Sequence, residues 1–183
     1  MKRRLFTLTF LLSITTTLFG QSYTYWVNQS KKSIENGDYI DAITDCDKAL
    51  AANSKGLEAL SNRGVAKRGL GQYESALADL DAAVAIDANS AAVFTNRGMV
   101  KNDLGYYRGA MDDFNTSIAI DPNNPNNYYG RGYAYYKIGK SKANFRNAIA
   151  DYDMAVRLGA GNYQPKFKYW DEAFAAISRM PHN

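Results

Sequence analysis

Apolar residues in the middle of the chain recur at the spacing of an α-helix. In the stretch from 73 to 84 they step by 3, 1, 3, 3 and 1 residues, at Tyr73, Ala76, Leu77, Leu80, Ala83 and Val84. Steps of this kind lay apolar side chains along one face of a helix with 3.6 residues per turn. A second apolar series precedes it and stops at Gly71, a residue that leaves helical backbone space at low cost. The pattern predicts two helices joined at a glycine.

The same pattern returns every 34 residues. Three sets of residues share a phase: Gly37, Gly71 and Gly105; Tyr39, Tyr73 and Tyr107; Ala42, Ala76 and Ala110. A fourth copy fits if four residues are inserted near 141 to 144. We therefore predict four helix-turn-helix repeats, at 23–56, 57–90, 91–124 and 125–162. Stacked copies share one continuous core, which no single pair of helices could form alone.

These repeats resemble the tetratricopeptide repeat family, in which two helices cross at small residues beside a bulky one. The residues that carry the resemblance are the bulky Trp26, Leu60, Phe94 and Tyr128; the small Ser30, Gly64, Gly98 and Gly132; Ala42, Ala76, Ala110 and Ala148; Ala49, Ala83, Ser117 and Ala155; and the closing Pro122. The resemblance implies an all-α, right-handed superhelical solenoid whose first helices line a concave groove.

A ninth helix is predicted after the last repeat, within the C-terminal segment 163–183. It spans residues 165–180, starts at Pro165, and carries Phe167, Trp170, Phe174 and Ile177 at helical spacing. We interpret it as a cap that covers the open apolar face of the last repeat. A helix that docks onto a partner is the alternative.

Arg-Gly dipeptides also recur with the 34-residue period. Each arginine follows an aspartate of the preceding repeat by 18 residues, which gives the pairs Asp45 with Arg63, Asp79 with Arg97, and Asp113 with Arg131. We expect each pair to bridge a repeat junction and to set the stacking register. Pairing within a repeat is the alternative, and it would leave Asp45 alone instead of Asp151.

The N-terminus has the organisation of a secretory signal peptide. Lys2, Arg3 and Arg4 precede an apolar run that is too short to cross a membrane, and we predict cleavage after Gly20. Removal of the three basic residues leaves 19 basic against 18 acidic side chains, so the formal charge of +4 gives no support to a nucleic-acid partner. We expect export to a bacterial periplasm, the cell surface or the exterior. An uncleaved anchor, the one route to membrane contact, is the alternative.

Candidate chemistry is sparse. His182 lies in the tail, and Cys46 takes the phase of Leu80, Phe114 and Tyr152, which predicts a core residue over a reactive thiol. Asp-x-Asp triplets occur, but residues i and i+2 of a helix point about 200° apart and cannot close on one ion. We expect no catalytic residue, no metal and no cofactor.

The resemblance also assigns the residues that face the groove. They are Asn28 and Lys31; Asn62, Val65 and Arg68; Asn96, Met99 and Asn102; and Tyr129, Tyr133 and Tyr136. The repeated asparagines could bond to an extended peptide backbone, and the tyrosines offer rigid contact area with a hydroxyl. Solvated asparagines, and tyrosines packed against the C-terminal helix, are the alternatives.

The sequence thus predicts an exported, non-enzymatic scaffold or adaptor that binds a peptide or protein segment in its groove. A subunit of an envelope or secretion complex, assembled through outer helix faces, is the alternative. The oligomeric state is left open.

Overall fold

The computed structural model describes residues 22–139, 141–159 and 168–179. Within these ranges the chain is helical and contains no strand. The helices are α1 (22–36), α2 (Tyr39–Ala52), α3 (Leu57–Gly69), α4 (Tyr73–Ile86), α5 (Ala91–Asp103), α6 (Tyr107–Ile120), α7 (Pro125–Ile138), α8 (Lys142–Arg157) and α9 (Lys168–Arg179). The predicted all-α fold of consecutive helix pairs is confirmed. None of the described helices is long and apolar enough to cross a membrane.

The chain divides into two compact units. The N-terminal unit ends at Asp87 and contains α1 to α4, and the C-terminal unit begins at Ala88 and contains α5 to α9. In the first, α3 packs between α2 and α4; in the second, each helix from α5 to α9 packs on the next, and α5 also lies beside α7. In the C-terminal unit the first helices of successive repeats, α5 and α7, therefore lie side by side.

A glycine with positive φ ends the first helix of each pair. The φ values are 83° at Gly37, 74° at Gly71 and 78° at Gly105, a region that costs glycine little. At Gly71 the next residue, Gln72, donates its backbone N–H to the carbonyl of Lys67 at 2.9 Å, which satisfies a helix-end acceptor. The periodic glycine thus reverses the chain between the two helices.

The two helices of each pair cross where a small residue meets a large one. A Cβ atom added to Gly64 would lie 2.8 Å from Leu80, one at Gly98 would lie 2.9 Å from Phe114, and one at Gly132 would lie 2.8 Å from Tyr152. These contacts have no room for a side chain on the first helix. The large residues are fully buried, so the space that glycine vacates is filled.

The first repeat divides the same space differently. Ser30 replaces the glycine and Cys46 replaces the large residue, and both side chains are completely buried. Ser30 donates its hydroxyl to the carbonyl of Val27 at 2.8 Å, so its polar atom is satisfied. Ser30 is larger than the glycine of the other repeats, and Cys46 is smaller than their leucine, phenylalanine or tyrosine, so the two changes in volume offset each other.

The arginines pair within their own repeats, so the predicted partners were wrong. Nε and Nη2 of Arg63 donate to the two oxygens of Asp79, at 2.9 and 2.6 Å. Arg97 pairs in the same way with Asp113. Asp45, the predicted partner of Arg63, instead accepts from Lys48 at 3.2 Å.

The fourth repeat follows the same rule, since Arg131 pairs with Asp151 through two hydrogen bonds. The crossing contact explains the choice of partner. Each arginine directly precedes the crossing glycine, and each aspartate directly precedes the large residue that packs on that glycine. The helix pair that joins Gly64 to Leu80 therefore also joins Arg63 to Asp79.

Arg63 and Arg131 also reach the preceding repeat, although not the aspartates that we expected. Nη1 of Arg63 donates to Asp47 at 2.7 Å, and Nη1 of Arg131 donates to Asn115 at 2.7 Å. The guanidinium group thus holds its own repeat with two N–H groups and a neighbour with a third. These two junctions are therefore bridged by an exposed side chain two positions after the predicted aspartate: Asp47 in place of Asp45, and Asn115 in place of Asp113.

The buried aspartates differ in how their charge is compensated. Lys67 adds a second cation to Asp79 at 2.7 Å, and Lys101 does the same for Asp113 at 2.8 Å. Tyr135 occupies the equivalent position in the fourth repeat. Burial raises the pKa of Asp151, and the hydrogen bonds from Arg131 oppose that rise. Asp151 thus pairs with one cation, Arg131, whereas Asp79 and Asp113 each pair with an arginine and a lysine.

A buried polar cluster joins α5, α6 and α7. Thr95 lies within hydrogen-bond distance of Asn127 at 2.7 Å and of Ser117 at 2.9 Å, and Asn127 donates to Ser117 at 2.8 Å. The three side chains are nearly or completely buried. Since they satisfy one another, their burial carries little of the penalty that an unpaired group would bring.

The predicted insertion near 141 to 144 lengthens a helix. Ser141 caps α8, its hydroxyl accepting the backbone N–H of Asn144 at 3.2 Å. Phe145 holds the phase of Tyr73 and Tyr107, which are the first residues of their helices, so Lys142 to Asn144 form an added turn before it. This turn extends α8 to 16 residues, against 14 for α4 and α6.

The C-terminal helix α9 lies within the predicted span 165–180. It packs on α8 and reaches α7, with Ala173 completely buried. Its predicted start at Pro165, like the predicted signal peptide at 1–20, lies outside the described residues.

A double-mutant cycle tests the pairing. We expect Arg63→Gln and Asp79→Asn to be coupled by about 1–3 kcal/mol, because each single change leaves a buried partner poorly satisfied. Arg63→Gln combined with Asp45→Asn is the matched control and should be additive within about 0.5 kcal/mol. Urea unfolding of the six proteins gives both values. Coupling to Asp45 and none to Asp79 would contradict the observed pairing.

Candidate functional site

The first helices of the N-terminal unit present part of the predicted groove. Asn28 and Lys31 are exposed on α1, while Val65 and Arg68 are half-buried on α3. Asn62 has a structural bond, because its Nδ2 donates to the buried hydroxyl of Ser30 at 2.9 Å. It ties α3 to α1, so Asn28 and Lys31 are the more accessible polar groups of this surface.

A second contact fastens the same two helices. The hydroxyl of Tyr23 on α1 donates to Glu58 on α3 at 2.8 Å, and its ring packs against Gly56. Burial, and then the carboxylate of Glu58, raise the pKa of Tyr23 to about 12. The surface that carries Asn28 and Lys31 is thus held by contacts at both Tyr23 and Asn62.

In the C-terminal unit, α5 and α7 form the corresponding surface. Asn96 and Met99 on α5 and Tyr133 on α7 are half-buried, so part of each side chain reaches solvent. Asn102 was wrongly predicted as a groove contact: it is 7% exposed, and its Nδ2 donates to the carbonyl of Gly130 at 2.8 Å. Gly130 stands at the phase of Asn62 and Asn96, and its backbone carbonyl is the group that accepts from Asn102.

The three predicted groove tyrosines have different surroundings. Tyr129 packs against the ring of Tyr152 with centroids 5.7 Å apart, and Tyr133 meets Tyr107 edge-on at 6.3 Å. The ammonium of Lys137 lies 5.3 Å from the centroid of the Tyr133 ring, in a cation–π arrangement. Tyr133 therefore combines a fixed ring, a hydroxyl and an adjacent positive charge on partly exposed surface.

Tyr136 contacts the C-terminal helix, which agrees with the alternative interpretation of the three groove tyrosines. Its hydroxyl donates to the carboxylate of Glu172 on α9, and its ring meets Phe145 edge-on at 6.1 Å. Beside this contact lies an open cleft of about 490 Å³, here named the α7–α9 cleft. Its lining residues are Tyr136, Lys137, Phe145, Glu172, Ala175, Ala176 and Arg179.

Sequence reasoning missed this cleft, because it depends on where α9 docks. The helical spacing of residues 165–180 indicates a helix but does not specify the distance between α9 and α7. A partial signal was present: the small residues Ala175 and Ala176 interrupt the large apolar side chains of that segment.

Cys46 and the acidic triplets are accounted for by packing and ion pairs. Burial raises the pKa of Cys46 to about 11, against a smaller opposing effect of the Ser30 hydrogen bond, so the thiolate is disfavoured. In the first triplet, Asp45 binds Lys48 and Asp47 binds Arg63. Within the described residues, no cluster of three His, Cys, Asp or Glu side chains could hold a metal ion.

Comparison with known families agrees with this geometry. Residues 57–90 match the family described as "Tetratricopeptide repeat", and residues 100–139 match "TPR repeat". The first match coincides with the predicted second repeat, and the second spans the boundary at 124 between the predicted third and fourth repeats. These two stretches are similar to tetratricopeptide repeats, and the division into four copies stays a prediction. Among curated proteins, no sequence matches the chain significantly.

Several solved structures share the fold. A crystal structure of the MamA protein has a TM-score of 0.69 at 21% identity, over 87% of this chain and 84% of that one. The first TPR domain of Spaghetti (RPAP3), bound to an HSP90 peptide, has a TM-score of 0.61 at 21% identity, over 64% and 94%. The second TPR domain of human RPAP3, in complex with an HSP70 peptide, has a TM-score of 0.58 at 23% identity, over 65% and 97%.

Proposed function

We propose that the chain is an exported, non-catalytic scaffold or adaptor that binds a peptide or protein segment on the surface of its first helices. The observation that carries the proposal is the pairing of α5 with α7, since Asn102 and Gly130 hold the two helices together. Asn96, Met99 and Tyr133 therefore lie on rigid elements while part of each side chain remains in solvent. Binding residues supported in this way lose little entropy when a partner docks.

The chemistry of this surface suits an extended chain. An asparagine side chain donates and accepts, as a peptide group does, so the exposed Asn28 of the N-terminal unit could bond to backbone without reading sequence. Tyr133 adds a rigid aromatic contact of the type that dominates interface energies. Two of the similar structures contain bound peptides, which supports a peptide as the ligand class.

The proposal includes export, on the basis of the N-terminal sequence. Basic residues 2–4, the apolar run and Gly20 together favour delivery to the periplasm, the cell surface or the exterior. A soluble partner in one of those compartments is then the expected ligand.

Assembly through outer faces is the second candidate, and exposed apolar residues favour it. Ile86 and Ile120 end α4 and α6 at the same phase and are 42% and 43% exposed. Ile40 on α2 is 70% exposed. Surface residues of this kind could contact other subunits of an envelope or secretion complex.

Partner capture distinguishes the two candidates. In a crosslinking pull-down from native cells, the variant Asn96→Ala/Met99→Ala/Tyr133→Ala should lose its partner by about tenfold or more, because it removes the exposed contacts of α5 and α7. The matched control, Ile86→Ser/Ile120→Ser, should retain it. Loss in the control alone would favour assembly through outer faces. Circular dichroism checks that both variants fold.

Export has a direct test. Intact-mass measurement of the protein purified from its native cells should give a chain that begins at Gln21, located outside the cytoplasm by cell fractionation. A cytoplasmic chain that retains Met1 would contradict export, whereas a retained N-terminus in the membrane fraction would indicate the uncleaved anchor.

A further inference from the structure

The α7–α9 cleft has the dimensions of a binding site, and neither Asn96 nor Met99 lines it. Its volume of about 490 Å³ falls within the range of roughly 300–1,000 Å³ that is common for ligand pockets. Three helices supply its walls: Tyr136 and Lys137 from α7, Phe145 from α8, and the remaining residues from α9.

One part of the cleft is apolar. Phe145 is 8% exposed and meets the ring of Tyr136, so the two rings form a fixed surface. Ala175 and Ala176 also line the cleft; they are half-buried and carry only methyl groups, which leaves space that larger side chains would fill. A branched aliphatic side chain could contact the rings and the methyl groups together.

The polar part of the cleft favours an anion. The described lining residues carry two positive charges, on Lys137 and Arg179, and one negative charge, on Glu172. The Glu172 carboxylate already accepts a hydrogen bond from the Tyr136 hydroxyl, so part of its hydrogen-bonding capacity is used within the protein. The guanidinium group of Arg179 offers parallel N–H groups that fit a carboxylate.

We propose that the α7–α9 cleft binds a peptide carboxylate that lies beside an apolar side chain. The apolar group packs on Phe145, Ala175 and Ala176, while the carboxylate bonds to Arg179 and Lys137. The carboxylate could be the terminus of a chain or the side chain of Asp or Glu, since both present the same group. By this inference α9 takes part in binding in addition to covering α8.

This inference rests on the proposed peptide-binding function but uses different residues from Asn96, Met99 and Tyr133. The two can therefore fail separately. Tyr136 is left unchanged in the test, because it also fastens α9 through Glu172.

The test uses the mature chain and three acetylated pentapeptides, followed by NMR at the methyl groups of Ala175 and Ala176. The first peptide is Gly-Ser-Gly-Ser-Leu with a free carboxylate, the second is its C-terminal amide, and the third is Gly-Ser-Glu-Leu-Gly as an amide. We expect the first, the third or both to bind with a dissociation constant of about 1 mM, as suits a small ligand. The second should bind about tenfold more weakly. Preference for the first peptide identifies a chain terminus as the source, and preference for the third identifies an acidic side chain.

Two variants locate the contacts. Arg179→Gln should weaken binding of the preferred peptide about tenfold, and Ala176→Leu should abolish it by filling the cleft. Arg108→Gln, an exposed arginine on α6, is the matched control and should have no effect. Equal binding of acid and amide, unchanged binding by Arg179→Gln, or no binding of any peptide would overturn the inference. If the three peptides fail while Asn96→Ala/Met99→Ala/Tyr133→Ala still loses a captured partner, the proposed function stands and the cleft inference alone is wrong.

Discussion

The structure depends on the close approach of two helices at one residue in each repeat. At Gly64, Gly98 and Gly132 the first helix has no side chain, and a leucine, phenylalanine or tyrosine of the second helix fills the space. A void would forfeit dispersion contacts and a larger residue would force the helices apart, so both partners are specified together. Phe114 extends the rule between repeats, because a Cβ at Gly130 would lie 2.3 Å from its ring.

The ion pairs follow from that contact. Once Gly64 lies on Leu80, the preceding residues Arg63 and Asp79 face each other across the same helix pair. The remaining N–H of the guanidinium reaches Asp47 in the preceding repeat. One arginine thus joins the two helices of its own repeat and also contacts the preceding repeat. Asn28 and Lys31 on α1 lie beside α3 because the bonds of Tyr23 to Glu58 and of Asn62 to Ser30 join these two helices.

Much of the fold could be predicted from periodicity, whereas partner choice could not. The 34-residue spacing located the glycine turns, the crossing residues and the helix pairs, since each has a fixed role in the repeat. It could not assign a partner to Arg63, because Asp45 and Asp79 share one phase and any choice between them requires the packing. The prediction for Asn102 was wrong for a related reason: its burial and its bond to the carbonyl of Gly130 depend on how α5 packs on α7, which the repeat phase does not show.

The α7–α9 cleft is a second feature that periodicity could not predict. Helical spacing predicts that α9 is a helix, but the gap between α9 and α7 is set by the bond of Tyr136 to Glu172 and by the burial of Ala173. Neither contact belongs to the repeat. The sequence alone was therefore uninformative both about the choice of ion-pair partner within the repeat and about features that lie outside the 34-residue pattern.

The most direct test of the crossing rule converts the second repeat to the arrangement of the first. Gly64→Ser should lower the free energy of unfolding by about 1–3 kcal/mol through overpacking against Leu80, and Leu80→Cys should lower it by about 2–3 kcal/mol through a cavity. In the double variant the two faults occupy the same space, as Ser30 and Cys46 do. We predict that its loss, measured by urea unfolding, falls short of the summed single losses by at least about 1 kcal/mol. Additive losses, within about 0.5 kcal/mol, would contradict the account.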